Sequence, residues 1–529
     1  MRQPAADIMK RIRSGASREA LEQARLALRS TPRDPELLGV AGLARLELGD
    51  EATGLCLLEA AYNQQPDNLE WLSALCRHNA IRFDRHRPMP RRDDTGAIRW
   101  PAWVEDAADD FTRWVACAPL DNNALVMAGR FHKALGNTRR AAELGVRAAE
   151  RNTADPEAAK LAAESLENLR RFDEAEHYYE RASTLAPDDP IVPWLRAMRQ
   201  LASGRFDRGW RGYDKRRSAF GWRTASYPFE YPNWRGEDLS GKSILVHGEQ
   251  GFGDEIMFSS ILPEIIAEAG QVVVAASPAL AKLFARSFPD ADIRPFDRSP
   301  ETVKSWQEDQ PPPPWCADYD FDFQSPVGSL ARWRRPDRRS FPGNPYLVPD
   351  AARAAAFASR LSALEKDRAR PLRIGLNLTA NLATGLMGLE KTIPRASFEP
   401  ALRSLAKSSH FVSLHPSRDA LASCSGEVSF PTDFSSELKD FDDTAALVAT
   451  LDMVVTVDTA VAHLAGAMGK PTLILLKYNA DWRYLDKGDR CIWYDSVRLV
   501  RQTRRNDWSD VVTRAADLLA DMVSARELP

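Results

Sequence analysis

Residues 453–476 read MVVTVDTAVAHLAGAMGKPTLILL, and this stretch decides the fold of the C-terminal part of the chain. Met453 to Val457 form a short continuous apolar run, the mark of a strand buried on both faces. Asp458-Thr459 then open a helix, whose Gly466, Ala467 and Gly469 permit close packing on a sheet. Lys470-Pro471 leads into a second buried strand, Thr472 to Leu476. Strand, helix and parallel strand in this order are the repeating unit of a doubly wound sheet.

Working outward, RIGLNLT (Arg373 to Thr379) and FVSLH (Phe411 to His415) supply further strands of the same half. An earlier opening of the same kind starts with ILVHG (Ile244 to Gly248). It continues through the glycine turn EQGFGDE, the helical MFSSILPEIIAEAG and the strand VVVAA (Val272 to Ala276). The pattern predicts two Rossmann-like halves, residues 243–365 and 366–529, the second with a closing helix. The proline run in SWQEDQPPPPW reads as an exposed loop of the first half. Asp318, Asp320 and Asp322, alternating with aromatics in DYDFDF, read as strand-edge residues rather than metal ligands.

Residues 1–220 follow a different period, close to the 34 residues of a helix-pair repeat. The clearest unit is PEAAKLAAESLENLRRFDEAEHYYERASTLAPDDP (156–190), in which Ala175, Tyr179 and Ala182 fall on one helix face and Pro187 ends the second helix. Residues 121–154 repeat it with Gly129, Ala141 and Ala148, and residues 35–66 with Gly42 and Pro66. The prediction is an α-helical tetratricopeptide (TPR) solenoid over 1–220, an inserted loop from Arg82 to Trp103, and an extended linker at 221–242.

The 529 residues carry 71 basic and 74 acidic side chains, a formal net charge of −3, which argues against nucleic acid and anionic membrane as partners. Hydrophobic residues are 44% and charged residues 27%, ordinary for a globular chain with several cores. No signal-peptide core and no run long enough to span a membrane is legible, so a cytoplasmic protein is expected. Six scattered cysteines (Cys56, Cys76, Cys117, Cys316, Cys424, Cys491) without a C-x-x-C pair read as reduced thiols.

Ligands of open parallel sheets lie beyond the carboxyl ends of the strands, so the turns after Gly248, Thr379, His415 and Val457 should meet in one cleft. Gly251 and Gly253 allow a tight turn and close backbone approach, and the helix that follows offers its N-terminus to an anion. Asp254 or Glu255 then stands at the mouth, where a general base can act on an acceptor hydroxyl. Asp458 and Thr459 can cap the next helix, and His463 lies about one turn along it. The turn is not G-x-x-x-x-G-K-[ST], which argues against a P-loop kinase or ATPase.

Residues from about 200 to 526 resemble bacterial proteins that join tetratricopeptide repeats to a GT-B glycosyltransferase related to family nine, the heptosyltransferases, with a more distant likeness to O-GlcNAc transferase. The resemblance rests on SGRFDRGWRGYDKR, GKSILVHGEQGFGDEIMFSSILP, FDFQSPVGSL, RIGLNL, DFDDTAALVATLDMVVTVDTAVAHLAGAMGKP, DWRYL and the late DW. It implies an inverting, metal-independent transferase that needs no cofactor beyond a nucleotide-sugar donor. By the resemblance Asp254 is the general base, Asp458, Thr459 and His463 belong to the donor-binding segment, and Lys391 meets the donor phosphates. Gly251, Gly253, Asn377, Thr379 and His415 line the same donor cleft. NLTAN (Asn377 to Asn381) stands where many relatives have a tryptophan-containing stretch, and His415 where they have glutamine. Within the wider group some members with this layout glycosylate flagellin, which implies a protein O-glycosyltransferase whose repeats recruit the acceptor; a nonulosonic acid carried on CMP fits that analogy. The alternatives are a repeat adaptor or chaperone with a degenerate transferase half, and a lipopolysaccharide-type transferase.

Overall fold

The computed structural model describes residues 3–93, 96–220, 229–248, 251–297, 313–365, 371–406, 408–417 and 432–527. The chain divides into two compact units, Met1–Pro187 and Asp188–Pro529.

The first unit is built of helix pairs, among them Pro35–Glu47 with Glu51–Gln64, Asn122–Ala134 with Thr138–Arg151, and Pro156–Asn168 with Phe172–Leu185. Each first helix starts on an acid that accepts backbone N–H groups: Asp34 from Glu36 and Leu37, Asp121 from Asn123, Asp155 from Glu157 and Ala158. The turn inside each pair needs a left-handed residue, supplied by Gly49 (φ +86°) and Gly136 (φ +80°), and by the non-glycine Arg170 (φ +61°). Ala175, Tyr179 and Ala182 are fully buried, as the repeat pattern requires, and the Tyr179 hydroxyl donates to Glu167 at 2.6 Å. The expected loop at Arg82–Trp103 is more ordered than its composition suggests. Helix Leu69–His86 runs on through Arg82, whose guanidinium sits 4.2 Å from the Trp103 ring centre. Strands β1 (Arg91–Arg92) and β2 (Ile98–Arg99) then pair antiparallel.

In the second unit β3 (Ser243–His247), β4 (Gln271–Ala276), β5 (Asp292–Pro295) and β6 (Phe323–Pro326) form an all-parallel sheet in the order β5-β4-β3-β6. A second parallel sheet contains β7 (Leu372–Asn377), β8 (Ser409–Ser413), β9 (Thr432–Asp433), β10 (Met453–Val457), β11 (Thr472–Leu476) and β12 (Val497–Arg501), ordered β12-β11-β10-β7-β8-β9. Helices cover the sheets, and the central strands are apolar throughout because both faces are buried. The expected pair of Rossmann-like halves is therefore present.

Three boundaries differ from the sequence reading. The compact units divide after Pro187, not after residue 220: helices Ile191–Ala202 and Phe206–Tyr213 place Leu201, Phe206, Trp210 and Tyr213 in the core of the second unit. Their aromatic side chains find partners there, such as Phe258 and Trp482. Within the expected linker, residues 229–242 are packed: Trp234 N–H donates to the Gln324 carbonyl at 2.8 Å, and Gln324 N–H to that of Pro232 at 2.8 Å, extending the edge of β6. Helix Ala351–Leu364, placed by sequence in the first half, packs on the second, with Phe357 against Phe434 and Arg353 paired to Asp443. Most of the proline run (residues 305–312), Glu249 and Gln250 of the glycine turn, and Cys424 lie outside the described residues. Asp322 accepts the backbone N–H of Ser243 at 2.9 Å and Lys242 Nζ at 3.0 Å, a strand-edge role.

The repeat packing makes a direct prediction. A Cβ on Gly42 would stand 2.8 Å from the Gly54 carbonyl oxygen and 2.9 Å from the Leu58 nitrogen, backbone atoms that no rotamer change can move. Gly42→Ala should destabilise the first unit by about 1–3 kcal/mol, read as an earlier urea transition; an unaltered midpoint would show that the helix pair is not packed this closely.

Candidate functional site

The site is set by topology. In the second sheet β7 lies between β10 and β8, so the connections leaving β7 and β10 part in opposite directions; in the first sheet β3 lies between β4 and β6. Such switch points open a crevice at the carboxyl ends of the strands. A cavity of about 820 Å³ occurs there, walled by Phe252 and Ala279 of the first half and by the ends of β7, β8 and β10 of the second. Phe252 and Phe441 meet across the halves with ring centres 5.1 Å apart. The halves are tied beside it by Lys282–Asp440 (3.0 Å) and Arg286–Asp442 (2.6 Å).

Four of the expected residues line this cavity: Asn377, Thr379, His415 and Thr459. Asn377 Nδ2 donates to Thr459 Oγ1 at 3.0 Å, while its Oδ1, buried, has no hydrogen-bond partner among the described residues. His415 Nδ1 accepts the Ser417 N–H at 3.0 Å. Thr459 occupies the position before helix Ala460–Ala467 in extended conformation, yet its side chain makes no capping bond, and Asp458 does not cap either. The helix therefore begins with Ala460 and Val461 on the cavity wall and their N–H groups without an intrahelical acceptor. Lys439, exposed on the same wall, makes no ion pair among the described residues.

Of the other expected residues, Lys391, Asp458 and Asp254 belong to a half-buried charge network that does not line the cavity. Lys391 Nζ pairs with Asp458 Oδ2 at 2.6 Å, and the Tyr484 hydroxyl donates to Asp458 Oδ1 at 2.8 Å. Arg483 bridges the carboxylates of Asp254 and Asp481. Burial works against the charge of Asp458, but the adjacent Lys391 ammonium outweighs it and holds the carboxyl well below its usual range. Burial likewise opposes the Lys391 charge, and the carboxylates of Asp458 and Asp481 overcome it and raise that pKa. Arg483 follows the same rule, with Asp254 as the largest opposing charge.

The two glycines of the turn play different parts. A Cβ on Gly253 would lie 3.1 Å from His463 Cδ2, so Gly253 lets helix Phe252–Phe258 close onto helix Ala460–Ala467; around Gly251 there is open space. Of the two acids only Asp254 turns to the opposite half. Glu255 is buried in its own half, where its oxygens accept Ser277 N–H at 2.8 Å and Ser277 Oγ–H at 2.7 Å. Sequence reasoning assigned no role to Arg483 and Tyr484 of the DWRYL motif, to Phe252 of the glycine turn or to Phe441 of the DFDDTAALVAT segment, and overlooked Lys439, which lies just before that segment.

His463 faces the Tyr494 hydroxyl at 3.2 Å, and burial pushes its pKa down to about 4. Its folded pKa lies below the ordinary 6.5, so between pH 6.5 and 4 the unfolded chain binds more protons, and stability falls as pH is lowered through that window. His463→Gln should reduce this slope by up to about 1.4 kcal/mol per pH unit, while His132 of the first unit contributes alike to both proteins. Urea unfolding across the pH series checks it; an unchanged slope would contradict a neutral, buried His463.

Residues 436–520, from the segment before helix Phe441–Ala449 into helix Ser509–Glu527, match the model of glycosyltransferase family 9 (heptosyltransferase). Protein FlbA of Caulobacter vibrioides is 29% identical over 365 residues, covering 64% of this chain and 57% of FlbA. The chain thus spans little more than half the length of the curated relative it matches. Among solved structures, MamA of MSR-1 is 17% identical with a TM-score of 0.29, covering 34% of this chain and 94% of MamA. MamA of Desulfovibrio magneticus RS-1 is 16% identical with a TM-score of 0.29, covering 35% of this chain and 97% of its own. The repeat assignment stands on the helix pairs themselves. The chain joins a tetratricopeptide-type helical region to a glycosyltransferase domain that matches family 9 over residues 436–520.

Proposed function

We propose that the protein is an inverting, metal-independent O-glycosyltransferase of GT-B type. It moves a sugar from a nucleotide-sugar donor to a Ser or Thr hydroxyl of a protein acceptor held by the repeats, with flagellin as the acceptor and a nonulosonic acid as the sugar. The observation that carries the reading is the cavity between the halves. There the buried, unpartnered Asn377 Oδ1 and the open N-terminus of helix Ala460–Ala467 offer an acceptor and donors to one polar ligand, beside apolar walls suited to a base or sugar face.

In the reaction the acceptor oxygen attacks the anomeric carbon as the bond from that carbon to the donor phosphate oxygen breaks. The nucleotide leaves with the bonding electrons, and the hydroxyl proton passes to Asp254. The helix N-terminus and Lys439 stabilise the negative charge on the leaving phosphate, and Lys391 reaches it by exchanging its bond to Asp458.

The test is nucleotide release from a panel of CMP-, UDP-, GDP- and ADP-sugars in the presence of purified flagellin. Asp254→Asn should lower turnover by roughly 10²–10⁴-fold with donor KM unchanged. Lys439→Ala, Lys391→Ala and His463→Ala should weaken donor binding or slow transfer without altering acceptor binding. Wild-type turnover by Asp254→Asn would remove the base; no release by the wild-type protein would leave the adaptor reading standing. Residues 1–187, added in excess, should raise the apparent KM for flagellin while leaving that for donor unchanged. No competition would mean that the first unit is not the recruiter.

A further inference from the structure

The segment Asp481–Asp486 touches three separate parts of the second unit with successive side chains. Arg483 pairs with Asp254, at the start of the first half's glycine-turn helix. Tyr484 donates to Asp458, at the end of β10. Asp486 receives Arg199 in a two-pronged ion pair, one arm at 2.7 Å, and its N–H donates to the Ala202 carbonyl at 2.9 Å. Between them Trp482 is clasped edge-on by Trp210 and Tyr213, at 5.5 and 5.6 Å between ring centres, and the Arg483 guanidinium lies 4.7 Å from the centre of the Trp482 ring. Leu485 takes a left-handed φ of +59°, an uncommon conformation for a branched side chain, held by Arg501, which donates to the carbonyls of Tyr484 and Leu485.

We propose that Arg483 is a positioning residue for the transfer reaction, orienting the Asp254 carboxylate toward the acceptor hydroxyl, and that helices Ile191–Ala202 and Phe206–Tyr213 fix Arg483 through Arg199–Asp486 and the Trp482 cluster. The proposal rests on the reading of Asp254 as base. Its logic is geometric. Asp254 sits on a seven-residue helix of one half, and Arg483, which pairs with its carboxylate, comes from the other half. The guanidinium is itself constrained on three sides by Asp254, Asp481 and Trp482. A planar fork shared between two carboxylates fixes angle as well as distance, which an ammonium does not. Base efficiency depends on such alignment.

The test uses the full chain and two readouts. At saturating donor, Arg483→Ala should cut nucleotide release by roughly 10²-fold with donor KM within about twofold of wild type. Millimolar guanidinium chloride should restore release severalfold, which a purely structural loss does not allow. Arg483→Lys, which keeps a cation between the carboxylates, should fold and show an intermediate rate, and it decides the matter if Arg483→Ala does not fold. Arg199→Ala should lower release in the same direction with donor KM unchanged. Crystal structures of wild type and the Arg483 variants form the substrate-free readout, in which Asp254 should leave its wild-type rotamer when the fork is removed. Wild-type release by Arg483→Lys and Arg483→Ala, a loss of donor affinity equal to the loss of rate, or an unmoved Asp254 would overturn the proposal. Full release by Asp254→Asn would instead reject the base reading alone.

Discussion

The second unit depends on pairing half-buried charges at the ends of its strands. An isolated ion in such a place costs several kcal/mol, so Asp458 at the end of β10 requires a cation, and Lys391 supplies it. The pair ties the end of helix Leu386–Lys391 to the residue that follows β10. The preceding residue, Glu390, is buried and points elsewhere, into the paired cations Lys477 (3.0 Å) and Arg505 (2.6 Å). Two adjacent residues of opposite charge thus anchor one short helix from two sides. Thr392 closes the arrangement by accepting the Ala380 N–H at 3.0 Å, and the connection after β7 becomes a wall of the cavity. The cleft is shaped by electrostatic satisfaction as much as by apolar packing.

The same network explains why the two halves form one compact unit. Arg483, from the segment after β11, reaches Asp254 of the first half, and the ion pairs of Lys282 and Arg286 cross the junction on the other side of the cavity. Small residues make these approaches possible. A Cβ on Gly466 would lie 2.5 Å from Tyr494 Cδ2, and one on Gly253 would crowd His463. The glycine turn is thus a packing device between helices in addition to any service to a ligand, and only Gly253 of its two described glycines is under that constraint.

The repeat register and the structural units part company. Left-handed residues recur 34 positions apart at Gly136, Arg170 and Gly204, so the period passes the boundary at Pro187 unbroken. What changes is the surface of the helices. Trp210 stands where the preceding pair carries Glu176, and with Phe206 and Tyr213 it packs into the second unit's core. The last helix pair of the repeat register is thus part of the second unit, and Arg199 and Trp210 of that pair meet Asp486 and Trp482 there.

The amino-acid sequence by itself determined the elements. Short, β-branched apolar runs such as MVVTV and TLILL, bounded by polar turns, are too short for helices and fit strands buried on both faces, while the spacing of Ala175, Tyr179 and Ala182 makes a buried helix face. Asn377, Thr379, His415 and Thr459 were legible as cavity residues because each follows or ends a parallel strand. Tertiary structure alone decided which charges meet. Asp458 was expected to cap a helix and instead holds Lys391, 67 positions away, and Asp254 is joined to Arg483 across 229 residues. No periodic signal encodes such pairs, since ion pairing acts through space between side chains that the chain's own period does not relate. Placing helix Ala351–Leu364 on the second half and helices Ile191–Ala202 and Phe206–Tyr213 in the core of the second unit likewise required the folded surfaces, because a helix pattern states which face is buried and not against what.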